Sequence, residues 1–186
     1  MRVLILSGGA RGGNTSSQCQ SFSSALPEGW DRVMPDLYSM DIRHCTGCDV
    51  CREGGCIHDD DMTQILEMFD SSDVIVFTTP VRFNGPSSML KTVIDRFQVL
   101  WRDPSLVSRR RRFMTYIASS GTDNPDLRPC NTVFRSFCLS FGGEWIDPHV
   151  FKGTDTSTEG MAEAAAAFAR QLSSIVESST ERSAVS

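Results

Sequence analysis

The chain opens with an unbroken aliphatic run, Val3-Leu4-Ile5-Leu6, that passes directly into Ser7-Gly8-Gly9-Ala10-Arg11-Gly12-Gly13-Asn14-Thr15. A strand apolar on both faces, followed by a glycine-rich turn and a helix, marks the start of a parallel sheet covered on both sides. The alternation then repeats along the chain. Strands are predicted at Val3–Leu6, Asp31–Leu37, Asp73–Thr79, Phe113–Ala118 and Gly143–Val150. Helices are predicted at Ser16–Leu26, Met62–Phe69, Ser88–Trp101, Asn131–Phe141 and Thr158–Val176. The second strand is less apolar and suits an edge or near-edge position, while Asp73–Thr79 suits the centre. His58-Asp59-Asp60-Asp61 supplies N-cap and first-turn carboxylates for the helix that begins at Met62. Five strand–helix alternations predict an α/β domain, a five-stranded and mostly parallel sheet between two helical layers. The domain is expected to span 1–177, with a cysteine-rich loop at 44–60 and a disordered tail at 178–186.

Composition excludes several classes. A formal net charge of -5 argues against a nucleic-acid binder, which needs a basic footprint. The longest apolar runs, such as Val74-Ile75-Val76-Phe77, are far too short for a bilayer, so no membrane partner is expected. The N-terminus lacks the apolar length and cleavage site of a secretory leader. Seven cysteines, four of them clustered, point to a reducing cytoplasm rather than a cross-linked secreted scaffold.

In a parallel α/β sheet, ligands bind outside the carboxyl ends of the strands, where the strand order switches. Three polar, glycine-bearing loops leave strands one, three and four, and they are expected to converge there. In the first, glycines permit a tight turn, while Arg11, Asn14, Thr15 and Ser16 offer donors beside a helix N-terminus; that chemistry suits a phosphate. It lacks the Gly-Lys-Ser/Thr of a Walker loop and the spacing of a dinucleotide fingerprint. Its hydroxyl and amide donors suit a phosphomonoester better than a pyrophosphate. The second loop, Pro80-Val81-Arg82-Phe83-Asn84-Gly85-Pro86, can lay backbone amides and an aromatic beside a planar ring. The third, Ser119-Ser120-Gly121-Thr122-Asp123-Asn124, offers small donors for the far edge of that ring.

These motifs resemble the NADPH-dependent FMN reductase family of the flavodoxin-like superfamily, in particular its iron–sulfur flavoprotein branch. The matching pieces are Gly8 to Thr15, Cys45-Thr46-Gly47-Cys48, Gly55-Cys56 with Asp60-Asp61-Met62, Pro80-Val81, and Lys91 with Asp95-Arg96. The resemblance implies a flavodoxin-like three-layer α/β/α sandwich. It implies an FMN site formed by Gly9, Arg11, Asn14, Thr15 and Ser16 at the phosphate. Pro80, Val81, Arg82, Phe83, Asn84 and Gly85, with Ser119, Gly121 and Thr122, would hold the ring. Arg82 stands where the family carries a tyrosine.

Cys45, Cys48, Cys51 and Cys56 follow x2, x2 and x4 spacing, which puts four thiols within reach of one centre. A [4Fe–4S] cluster, a closed zinc site and free thiols in a structural loop are all compatible with it. The resemblance implies the cluster, with these four as ligands. Cys19 reads as a helix-face residue, and Cys130 and Cys138 as small buried hydrophobes on one helix. Arg109-Arg110-Arg111-Arg112 reads as a solvated turn whose stems cover apolar surface, against attraction of a nucleotide phosphate or an acidic partner.

The expected function is an FMN-dependent oxidoreductase coupling the flavin to one [4Fe–4S] cluster, with NAD(P)H as a possible donor and a ferredoxin-like partner. No side chain is expected to act as catalytic acid or base. A cluster-free NAD(P)H-dependent FMN or quinone reductase is the nearer alternative. A zinc-stapled, non-enzymatic interaction module is the other. Phe97, Leu100 and Trp101 continue an apolar helix face, read as core or as a homodimer contact.

Overall fold

In a computed structural model, residues 1–108 and 110–185 are described. Six helices and a parallel sheet alternate: β1 (Arg2–Ser7), α1 (Asn14–Ser24), β2 (Asp31–Val33), α2 (Met62–Asp70), β3 (Val74–Pro80), α3 (Ser88–Arg96), α4 (Gln98–Arg102), β4 (Phe113–Ser119), α5 (Arg128–Ser140), β5 (Glu144–Trp145), β6 (His149–Phe151) and α6 (Met161–Val185). The order across the sheet is β2-β1-β3-β4-β5, with β6 also pairing to β4, and every pairing between strands is parallel. β5 and β6 together fill the fifth position, so the expected five-stranded three-layer sandwich is the fold observed. Proline at 148 removes a ladder donor between the two pieces.

The two-residue period of the strands divides the core. Leu4, Leu6, Ile75, Phe77, Met114 and Tyr116 face one layer, where Phe69, Phe97, Phe134 and Phe137 meet them. Val3, Ile5, Val74, Val76, Phe113 and Ile117 face the other, against Cys19, Phe22, Phe168, Ala169 and Leu172 of α1 and α6. The strands are apolar on consecutive residues because both faces are covered.

The structure differs from the sequence expectation in several places. β2 ends at Val33 rather than Leu37. The single helix expected at Ser88–Trp101 is two, broken at Phe97, whose ring is fixed edge-on to Phe69 and Phe137 at 4.9 Å. Tertiary packing of that aromatic cluster outweighs local helix propensity. α6 continues to Val185, so the segment expected as a tail from 178 is helical, while residue 186 lies outside the described residues. Arg112 is fully buried instead of lying on a solvated turn. Its guanidinium bonds the carbonyl and carboxylate of Asp70 and lies over the Phe69 ring. Arg110 pairs with Asp73 and Arg111 with Glu144, and Arg109 lies outside the described residues.

The sheet register sets up the functional edge. Ser7 of β1 lies opposite Thr78 of β3, and Pro80 of β3 opposite Ser119 of β4. Three strands therefore finish nearly level, at the point where the order reverses between β1 and β3. Among the described residues, no helix is long and apolar enough to cross a membrane.

Candidate functional site

The loops leaving β1, β3 and β4 enclose a cleft of about 400 Å³, within the size range of small-molecule sites. Asn14 and Thr15 line it from the first loop, Pro80, Val81, Arg82, Phe83 and Asn84 from the second, and Ser119, Gly121 and Thr122 from the third. Ten of the residues expected at a flavin site thus share one cleft.

The first wall is the start of α1. Its N-cap is Gly13, no side chain caps the helix, and no acidic residue occupies its first turn. Free N–H groups and the positive end of the helix dipole are left facing the cleft, an arrangement that favours an anion. Thr15 and Ser119, both buried, share a 2.5 Å hydrogen bond that ties this helix start to the end of β4. Gly8 lets the loop pass close to α3, because a Cβ there would run into Ser87 and Leu90. Its N–H bonds the Thr78 carbonyl at 2.8 Å.

The second wall is a two-residue hairpin. Arg82 and Gly85 exchange backbone hydrogen bonds of 2.9 Å in both directions, with Phe83 and Asn84 at φ 48 and 64 as the turn residues. The Val81 N–H donates to the Ser119 carbonyl at 2.8 Å, and the Thr79 hydroxyl accepts from the Ser87 N–H at 2.9 Å. Both ends of the hairpin are thereby fixed to the sheet and to α3.

The third wall includes residues that sequence reasoning missed. Pro125 lines the cleft, as do Thr154 and Asp155 from the segment after β6, beside Ser120 of the expected third loop. Backbone bonds from Gly153, Thr154 and Asp155 to Thr122, Ser120 and Gly121 lay that segment along the β4 loop. The Asp155 carboxylate lies where a side chain on Gly121 would have to go. The available signal was Lys152-Gly153-Thr154-Asp155 itself, a strand end passing into glycine and hydroxyl as in the other three loops.

Four expected residues sit elsewhere. Gly9, Arg11 and Ser16 line a separate hollow of about 190 Å³ beside Asp36 and Tyr38. The Arg11 guanidinium is held by Asp36 at 2.6 Å and bonds Ser39, so it points away from the cleft. Hydrogen bonds from Ser39 and then Arg11 hold the Asp36 carboxyl below its ordinary range. Gly85 closes the hairpin without lining the cleft.

The cysteine loop corrects the sequence expectation. Cys45, Cys48, Cys51 and Cys56 surround a hollow of only about 50 Å³ shared with His58 and Arg96. Among the described residues, no group of three or more His, Cys, Asp or Glu is arranged to hold a metal ion. Cys51 packs toward the core while Cys45, Cys48 and Cys56 are exposed. The loop bends through left-handed Gly47, Asp49, Gly54 and Gly55, and the Arg96 cation lies against Cys56. The ligand set expected at these four cysteines is overturned, for a [4Fe–4S] cluster and for zinc alike. With it goes the expectation that FMN is coupled to a cluster.

What fixes this loop is a buried ion pair. Arg96 grips Asp60 with two nitrogens at 2.6 and 2.9 Å and donates to the Arg43 carbonyl at 2.7 Å. Burial would raise the Asp60 carboxyl, but Arg96 and the N–H groups of Arg43 and Met62 outweigh it and hold it at about 2. The loop is thus pinned at both ends, just before Cys45 and just after Cys56.

Comparison with known proteins agrees with this geometry. The sequence profile of the family described as NADPH-dependent FMN reductase matches residues 1–140. An iron–sulfur flavoprotein of Archaeoglobus fulgidus is 30% identical over 97 residues, covering 52% of this chain and 48% of that protein. The chain therefore spans about half the length of that relative. A Bacillus subtilis protein named as an NAD(P)H-dependent FMN-containing oxidoreductase is 28% identical over 159 residues, covering 77% and 82%. The solved structure of an NAD(P)H:quinone oxidoreductase from Methanothermobacter marburgensis superposes with a TM-score of 0.70 at 20% identity, covering 93% and 94%, which shows the shared fold.

Proposed function

Since the chain belongs to the NADPH-dependent FMN reductase family, we propose that it is an FMN-dependent oxidoreductase that takes electrons from a reduced pyridine nucleotide and delivers them to a small acceptor such as a quinone. The observation that carries this reading is the cleft at the ends of β1, β3 and β4, with the uncapped start of α1 as one wall. A phosphomonoester fits the free N–H groups there, and the polar rims on either side fit the ribityl chain and ring edges of FMN. Bound FMN supplies hydride acceptance from the nucleotide and release of the electrons to the acceptor.

The chain's own residues bind and orient. Asn14 and Thr15 present backbone donors to the phosphate, and the Thr15–Ser119 bond keeps that wall in place. Arg11 is committed to Asp36, so the phosphate is read mainly by the helix start; Gly9 and Ser16 support the turn rather than touch ligand. Pro80 and Val81 cover one side of the ring, and the Arg82–Gly85 hairpin stands at the mouth of the cleft. The 119–122 loop, braced by Thr154, offers donors to the other and stabilises negative charge as the ring is reduced. No acid or base side chain is required.

Similarity to the iron–sulfur flavoproteins supports a place beside that branch, with the cysteine loop serving as scaffold. A second copy of the chain is the proposed partner, docked on the face that leaves Trp101 and Leu106 half exposed. Light scattering that gives only monomer would remove that contact.

The test of function is anaerobic mixing of FMN-loaded protein with NADPH or NADH, followed by a quinone. Bleaching of the flavin bands and their return on adding quinone is expected. Bands that neither nucleotide bleaches would overturn the reading.

A further inference from the structure

The hairpin at the cleft mouth carries an arrangement that holding FMN does not explain. Phe83 is fully exposed, at 105% of its reference surface, on a backbone with φ 48. A bulky residue in the left-handed region is an outlier that costs on the order of 1–3 kcal/mol and tends to persist at functional sites. The turn needs two such residues in succession, a geometry that favours Asn-Gly rather than an aromatic first. The turn is nevertheless rigid, locked by the reciprocal Arg82–Gly85 bonds and anchored through Val81 to Ser119. The exposed ring is therefore presented, not frayed.

Next to it is Arg82, exposed and making no ion pair or side-chain hydrogen bond among the described residues. Among the described residues that line the cleft, it is the one cation, and Asp155 is the one anion. An uncommitted guanidinium beside an uncommitted aromatic ring is a recognition pair. The ring offers a face for stacking, and the guanidinium a planar fork for an oxyanion.

We propose that Arg82 and Phe83 select the second substrate: a planar aromatic acceptor that carries an acidic substituent, a carboxylate or a sulfonate, on its ring. Phe83 covers the ring while Arg82 pairs with the acidic group. This inference rests on the FMN reading above. A nucleotide phosphate is a poorer occupant, because in a pyridine nucleotide the phosphates lie on a long, flexible arm away from the stacked ring. An acid attached directly to the ring lies within one residue's reach of Phe83.

The test uses FMN-loaded protein and two non-reducible probes with the same ring, naphthalene-2-sulfonate and the neutral naphthalene-2-sulfonamide. Titration calorimetry is expected to show the sulfonate binding about tenfold more tightly. Arg82→Gln abolishes that ratio, Arg82→Lys keeps part of it, and Phe83→Ala weakens both probes together. A wild-type ratio of one overturns the proposal, as does a ratio that survives in Arg82→Gln. It is equally overturned if Arg82→Gln loses FMN affinity with the ratio intact, or slows flavin reduction by NADPH but not by NADH; Arg82 would then serve the cofactor or the nucleotide phosphate. Protein that takes up no FMN counts against the proposed function. Absence of the sulfonate preference in loaded protein counts against this inference alone.

Discussion

The Asp60–Arg96 pair permits a calculation from structure to stability. Both side chains are almost fully buried, 1% and 3% exposed. Asp60→Asn keeps the shape but removes the charge, leaving the Arg96 guanidinium buried against an amide that cannot balance it. Such uncompensated burial costs about 3–5 kcal/mol. The acid titration gives a second figure. With its carboxyl held at about 2 instead of 3.8, Asp60 contributes about 2 kcal/mol through linkage. The folded-state value is the lower one, so this contribution is complete above about pH 4 and is lost as pH falls through about 2. Urea unfolding followed by circular dichroism at pH 7, 5, 4 and 3 should show Asp60→Asn less stable by about 3–5 kcal/mol at pH 7. The gap should begin to narrow below pH 4. The double variant Asp60→Leu/Arg96→Met should recover only part of that loss: replacing both charges removes the desolvation cost along with the attraction, but the Arg43 and Met62 N–H groups and the Arg43 carbonyl lose their partners. A gap under about 1 kcal/mol at pH 7, or one independent of pH, would refute the reasoning.

Other predictions follow from the same contacts. Thr15→Val removes the hydroxyl bonded to Ser119 and should weaken FMN binding about tenfold while costing only about 1 kcal/mol of stability; equal FMN affinity in fluorescence titration would contradict that role. Native protein treated with a thiol reagent should release three equivalents quickly, from exposed Cys45, Cys48 and Cys56. Cys51 should react more slowly, and Cys19, Cys130 and Cys138 only after denaturation. Burial pushes Cys130 and Cys138 up to about 11, which removes their thiolate at neutral pH. Replacing all four loop cysteines by serine should leave FMN uptake intact, and a variant that folds but stays colourless would show that the loop does more than brace the scaffold. Arg112→Met should cost about 2–4 kcal/mol, because it strips partners from Asp70 while filling the space over Phe69.

The layered fold was legible because it is written locally. Val3-Leu4-Ile5-Leu6 and Val74-Ile75-Val76-Phe77 are apolar on consecutive residues, which only a doubly covered strand requires, and each is followed by glycine and hydroxyl residues. What escaped the sequence depends on distant partners. Arg11 looked like a phosphate ligand because its partner Asp36 lies 25 residues away. Phe97 breaks a helix whose local propensity is continuous, because Phe69 and Phe137 fix its ring. Thr154 and Asp155 reach the cleft only through the pairing of 153–155 with 120–122, which no short motif encodes. The cysteine spacing stated how near four thiols could come, not whether the fold would gather them into a ligand set; among the described residues it does not. Cys51 follows the core and the others follow solvent, while the decisive contact, Arg96 against Asp60 and Cys56, comes from another helix.

The most direct test of the central claim is equilibrium titration of the cofactor-free chain with FMN and, in parallel, with riboflavin, read by flavin fluorescence. Saturation at one FMN per chain, with riboflavin bound at least about tenfold more weakly, is predicted, because the uncapped start of α1 selects the phosphate. Failure to saturate with FMN, or equal affinity for the two flavins, would contradict it.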